Sequence, residues 1–178
     1  MRCFIAIRVA ENIKSQAAQV QNRLSDLPMT CKFVEPENMH ITMSFLGDAD
    51  ETRTKDVIAA LDSICAGYKK FEAEASGLKM IPSASYIRVL AIDISDPAGS
   101  LDRLSKDIKN KIGGDVKPPH LTLCRVKSLA DKQRVLSGLA GLKNASLGKS
   151  AVESVCLIKS ELRITGPVYT IVHESRLR

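Results

Sequence analysis

This 178-residue chain encodes an α+β fold with an internal duplication, and three features point there. Strand-like and helix-like apolar patterns alternate from end to end. The order strand, helix, His-bearing strand, helix, strand occurs twice. The interval from the opening strand of each half to its histidine is also similar, 36 residues from Phe4 to His40 and 31 from Val89 to His120. The repeat divides the chain near 1–85 and 86–178, within a length that suits one domain or one pair of intimately packed lobes.

The first strand is predicted over Phe4–Val9, whose centre is apolar and β-branched. Ile13, Ala17, Val20, Leu24 and Leu27 then recur at helical spacing. A loop through Pro36 leads to a strand over His40–Leu46, closed by Gly47. Val57, Ile58, Leu61, Ile64 and Cys65 mark the second helix, with Asp50 and Thr52 as candidate caps. Phe71–Ile81 is expected as a strand that Pro82 stops. In the second half Val89–Ile94 is a strand, and Leu101, Leu104, Ile108 and Ile112 mark a helix ended by Gly113 and Gly114. His120–Val126 follows Pro118 and Pro119 as a strand. Ser128 with Asp131 resembles a capping box before a helix carrying Val135, Leu136, Leu139 and Leu142. Val152–Ile158 and Val168–His173 complete the strands.

Composition narrows the function classes. Apolar residues make up 44% and charged residues 26%, which excludes a disordered, collagen-like or coiled-coil chain. The apolar run Phe4–Ile7 is too short for a signal peptide or membrane span, so a cytoplasmic location without membrane attachment is expected. Five scattered cysteines without a Cys-x-x-Cys pair imply free thiols, not a disulfide framework or zinc ribbon. A net charge of +6 favours an anionic partner. Four Phe, three Tyr and no Trp are too few to stack an extended single strand, so a short stretch or an end of nucleic acid is the better fit.

The specific signal is a repeated motif, His40-Ile41-Thr42-Met43 and His120-Leu121-Thr122-Leu123. With seven Thr in 178 residues, two of the three His acquire a Thr two places on by accident in fewer than roughly 1% of cases. Alternate strand residues share a face, so each His points with its Thr while Ile41 or Leu121 anchors the other face in the core. Two such pairs converging on one cleft would suit a phosphate. The hydroxyls and one cationic imidazole donate to its oxygens, and the second imidazole stays neutral as a base. In-line hydrolysis of a phosphodiester needs an acid and a base on opposite sides of phosphorus, which two histidines supply without a metal. A metal site would require three ligands, and only Cys124 or a remote carboxylate is at hand.

With these motifs the sequence resembles the two-histidine (2H) phosphoesterases, and within them the RNA 2′,3′-cyclic phosphodiesterases, once named 2′-5′ RNA ligases. The likeness extends over the opening Met1–Ile7, the block Val34–Gly47, the block Pro119–Val126, and Ser160-Glu161-Leu162 with Gly166-Pro167-Val168-Tyr169. The resemblance implies a bilobal duplicated fold, with two antiparallel sheets flanking a central cleft and helices packed outside. It implies hydrolysis of RNA 2′,3′-cyclic phosphate ends to 2′-phosphomonoesters, without cofactor or metal, by a monomer. The partner would be RNA with a cyclic phosphate end, tRNA fragments being one candidate. His40 would be the proton donor and His120 the proton acceptor, with Thr42 and Thr122 on phosphate oxygens. Two departures are visible: Cys124 where a small Ala or Gly is usual, and no aromatic within Arg88-Val89-Leu90. Alternatives are action on 2′-5′ linkages or small cyclic nucleotides, or a module that binds a nucleotide or RNA phosphate without turnover.

Further residues are weighed on placement. Arg125 adjoins the second motif as a candidate substrate contact, although strict alternation points it away from His120 and Thr122. Phe4 is a candidate stacking surface for a terminal base, competing with a role in the core. His173 is expected at a surface or edge. Lys106, Lys109 and Lys111 read as a solvated helix face, and Glu37 and Asn38 as turn formers.

Overall fold

A computed structural model describes residues 1–164 and 166–178. The strands are β1 (Arg2–Arg8), β2 (Met29–Phe33), β3 (His40–Asp48), β4 (Phe71–Pro82), β5 (Ile87–Ser95), β6 (His120–Leu129), β7 (Ser146–Val152), β8 (Ser154–Arg163) and β9 (Gly166–Arg176). The helices are α1 (Glu11–Ser25), α2 (Glu51–Cys65), α3 (Ser100–Lys111) and α4 (Lys132–Ala140), with a 3₁₀ turn at Pro36–Asn38. Among the described residues no helix is long and apolar enough to cross a membrane.

Local sequence accounts for the boundaries. Asp50 caps α2 by accepting from the Arg53 amide at 2.7 Å, and Asp131 caps α4 through the Arg134 amide at 3.0 Å. Ser128, expected in a capping box, lies inside β6 instead. Each helix buries one stripe, such as Ile13, Ala17, Val20 and Leu24 of α1. Two strands were not expected. β2 occupies the loop before Pro36, and β7 with β8 replaces the single strand Val152–Ile158, broken at Glu153.

The pairings are antiparallel and follow the path β7-β4-β5-β6-β3-β1-β8-β9, with β2 added to β6. All nine strands thus belong to one curled sheet instead of the two separate sheets expected. The middle of that path is thin. β3 and β6 share the single residue pair Ile41↔Leu121, whereas β2 pairs with β6 from Cys124 to Leu129. The strand order is symmetric about this seam when β6 is matched with β3, β5 with β1, β4 with β8 and β7 with β9. One face of the sheet carries the main core, which buries Ile5, Ile7, Met43, Leu90, Ile92 and Leu123 against the helices. On the opposite face Phe4, Ala6, Cys156 and Ile158 form a small apolar cluster with Tyr169 against it.

Candidate active site

The seam is where the two motifs meet. Pairing of Ile41 with Leu121 sets His40 across from Thr122 and Thr42 across from His120 in antiparallel order. Ile41 and Leu121 point the other way and are buried in the main core. The alternation inferred from the sequence therefore brings the two imidazoles and two hydroxyls to one face. Thr42 is 8% exposed, while Thr122 and both histidines are half-buried.

Each imidazole is held the same way. His40 Nδ1 donates to the Asn38 carbonyl at 2.7 Å, and His120 Nδ1 donates to the Pro118 carbonyl at 2.8 Å. Both carbonyls lie two residues upstream, in the 3₁₀ turn and in the Pro118-Pro119 segment, where restricted φ fixes the backbone. With Nδ1 engaged, Nε2 is the nitrogen left to exchange a proton with a substrate. Asn38, expected as a turn former, thus also orients His40 through its backbone.

Both strands carry a bulge at the same motif position. The β1–β3 register passes from Ile5↔Ser44 to Ala6↔Thr42, leaving Met43 unpaired. The β5–β6 register passes from Leu90↔Cys124 to Ala91↔Thr122, leaving Leu123 unpaired. An extra residue reverses the alternation beyond it. Arg125, opposite Val89, therefore returns to the face of Thr122 and His120, contrary to the outward direction expected. Phe45 returns likewise to the face of Thr42 and His40, opposite Phe4.

Phe45 is a residue the sequence reasoning missed, and aligning His40-x-Thr42-x-x-Phe45 with His120-x-Thr122-x-x-Arg125 was the signal for it. Its ring is 44% exposed. Phe4, expected as a stacking surface, is only 3% exposed. Its ring lies 4.8 Å from His40 and 5.0 Å from Tyr169, so its faces are occupied and it supports the imidazole from below. Tyr169, also missed, meets His40 edge-on at 5.3 Å.

Charge is unevenly distributed around the histidines. Burial pulls His40 below the ordinary imidazole value of 6.5, the Asn38 hydrogen bond opposes this, and the charges of His120 and Arg125 add to the lowering. Burial raises the Tyr169 hydroxyl, against the charges of Arg125 and Arg2. Arg8 faces His40 across β1–β3 and is held by Glu174 at 3.1 Å. Asp93 faces His120 across β5–β6 and is ion-paired with Lys79. His173 is not part of the site. Its Nε2 contacts Asp62 of α2 at 2.8 Å, and Ser175 Oγ donates to the same oxygen at 2.6 Å, tying β9 to α2. Lys106, Lys109 and Lys111 are exposed on α3, as expected. No cluster of three His, Cys, Asp or Glu groups suited to a metal occurs among the described residues.

Known proteins share this chain and this fold. The family described as LigT like Phosphoesterase matches residues 7–91. A Methanothermobacter thermautotrophicus protein named RNA 2′,3′-cyclic phosphodiesterase is 32% identical over 99% of this chain and 99% of its own. An Aquifex aeolicus protein of the same name is also 32% identical, over 98% of this chain and 96% of its own. The crystal structure of TT0787 from Thermus thermophilus has a TM-score of 0.84 at 24% identity, covering 100% of this chain and 98% of that one. Escherichia coli LigT complexed with 3′-AMP gives 0.72 at 21%, covering 99% and 96%. The structural likenesses establish the fold, and the full-length sequence relatives establish the lineage. The chain belongs to the LigT-like phosphoesterase family, within the 2H phosphoesterase superfamily, and is an enzyme.

Proposed function

We propose that the enzyme hydrolyses RNA 2′,3′-cyclic phosphate ends to 2′-phosphomonoesters, using His120 as base and His40 as acid without a metal. The observation that carries this reading is the seam, which sets each histidine opposite the other motif's threonine on one face. The shared name of the full-length relatives supplies the substrate class. A module that only bound phosphate would have use for a cation but none for a second imidazole held in the same way as the first.

His120 Nε2 takes a proton from water, whose oxygen attacks phosphorus in line with the 3′-oxygen. As the P–O3′ bond breaks, the proton on His40 Nε2 passes to the 3′-oxygen and the phosphate stays on the 2′-oxygen. Thr42 and Thr122 donate hydroxyl protons to non-bridging oxygens, and Arg125 adds positive charge as negative charge builds there. Phe45, exposed at the edge of the site, offers a ring face to the terminal base in place of Phe4.

The reading extends to the architecture: a single two-lobed domain of duplicated units, about 1–85 and 86–178, with the cleft above the seam. The symmetric strand order and the matching bulges at Met43 and Leu123 support it. The enzyme would act in the cytoplasm as a monomer on RNA ends such as those of tRNA fragments. The test is incubation with a 2′,3′-cyclic nucleotide in excess chelator, followed by phosphorus NMR. A 2′-monophosphate product is expected. A 3′-monophosphate, or turnover abolished by chelator, overturns the mechanism.

A further inference from the structure

Lys32 and Arg125 are direct cross-strand partners in the β2–β6 pair. Paired residues share a face, so Lys32 lies on the face to which the bulge returns Arg125. Both side chains are exposed, and among the described residues neither has a carboxylate within ion-pair distance. Like charges set opposite one another in a sheet are mutually destabilising. Such a placement is relieved when an anion lies between them.

The two cations differ in reach. The charge of Arg125 acts on both His40 and Tyr169, and the bulge turns it to the face of His120 and Thr122. Lys32 is one strand further out, a step of about 4.8 Å. Its Nζ extends towards Gly166 at the start of β9, where an added Cβ would stand 3.1 Å from it. Lys32 therefore spans from β2 to a strand beyond the seam. It is delivered by the one strand that has no counterpart in the symmetric order.

We propose that Lys32 forms, with Arg125, a second anion subsite that holds the phosphodiester on the 5′ side of the cyclic end. The inference rests on the RNA-end reading above and deepens it. Arg125 stands between the two phosphates and serves both, and Lys32 engages only the one on the 5′ side. A cyclic mononucleotide has no such phosphate, so Lys32 separates an RNA end from a free cyclic nucleotide.

The experiment compares kcat/KM for a 2′,3′-cyclic mononucleotide with that for a trinucleotide ending in the same cyclic nucleoside, at low salt. Wild type favours the trinucleotide, and Lys32→Gln lowers that preference about tenfold, the scale of one charge-assisted phosphate contact. Lys32→Arg keeps the preference and Lys32→Glu lowers it further. The log–log salt slope for the trinucleotide falls by about 0.7 in Lys32→Gln, as for one single-strand phosphate contact. Thermal stability of Lys32→Gln equals or exceeds wild type, because a like-charge contact is removed. Equal losses on both substrates, or a preference unchanged within about twofold, overturn the subsite. Mononucleotide turnover by wild type keeps the two readings apart: its presence with no Lys32 effect sinks the subsite alone. Turnover of neither substrate by wild type sinks the RNA-end reading and the subsite with it.

Discussion

Gly113 and Gly114 form a matched pair for measuring how the first motif strand is held. Both have φ of +89°, so an alanine at either position meets a backbone penalty, about 1–2 kcal/mol for an L-residue at positive φ. That penalty is partly offset in both by the lower entropy of the unfolded chain, about 0.4–1 kcal/mol. Their surroundings differ. A Cβ at Gly113 would meet nothing within 4 Å, whereas one at Gly114 would strike Ser44 Oγ and stand 2.6 Å from the Phe45 carbonyl oxygen and 3.0 Å from Leu46 Cδ2. This is where Asp115 exchanges backbone hydrogen bonds of 2.8 and 3.1 Å with Phe45. The backbone cannot yield without moving the strand that carries His40 and Thr42. Such overpacking costs about 1–3 kcal/mol beyond the shared penalty. Urea unfolding should therefore give Gly113→Ala a loss near 1 kcal/mol and Gly114→Ala a loss of about 2–4 kcal/mol, with unchanged m. kcat/KM should fall in Gly114→Ala alone. Two variants equal within about 0.5 kcal/mol would refute the contact as the cause.

His40→Ala and His120→Ala should each lower kcat by about 10²–10⁴-fold while circular dichroism and melting remain close to wild type, and wild-type turnover in either excludes that residue from the chemistry. An acid must be protonated to act, and burial holds His40 below 6.5, so the acid form of His40 is lost as pH rises through that lowered value. NMR titration of the His40 ring should give a midpoint below 6.5 in the free enzyme and a higher one with phosphate bound, since phosphate favours the imidazolium; a free-enzyme midpoint above 6.5 contradicts the burial argument. A diester with an acidic phenol as leaving group hardly needs a proton donor, so His40→Ala should recover activity on it and His120→Ala should not. Recovery in the other variant reverses the roles.

The elements that the sequence reveals are those with a strong period. Helices with buried stripes and strands such as Val89–Ile94 are legible because one face or both enter the core. β2 was not, because Met-Thr-Cys-Lys-Phe is five residues long and half-exposed. β7 was not, because Gly148, Lys149 and the flanking serines look like a loop until β4 pairs with them. In the site, the His–Thr pairs needed only strand alternation to be placed together. Arg125 was misdirected because a bulge leaves no mark in one strand's sequence, and Phe45 shows only when the two motifs are laid over each other. Tyr169 reaches the site because β9 forms a hairpin with β8 and β8 pairs with β1, a contact between residues far apart in sequence that nearby residues do not reveal.

The strand order has a consequence for folding. β1 pairs outward with β8, and β4 lies between β5 and β7, so each half of the chain lends a strand to the other's portion of the sheet. Neither half can satisfy its own backbone hydrogen bonds, and each on its own would present long unpaired edges. The two halves of the chain are thus not independent units of folding. The chain is expected to cross its barrier as one cooperative body, slowed by the many contacts between residues distant in sequence. The two histidines, one from each half, are brought together only when that exchange is complete.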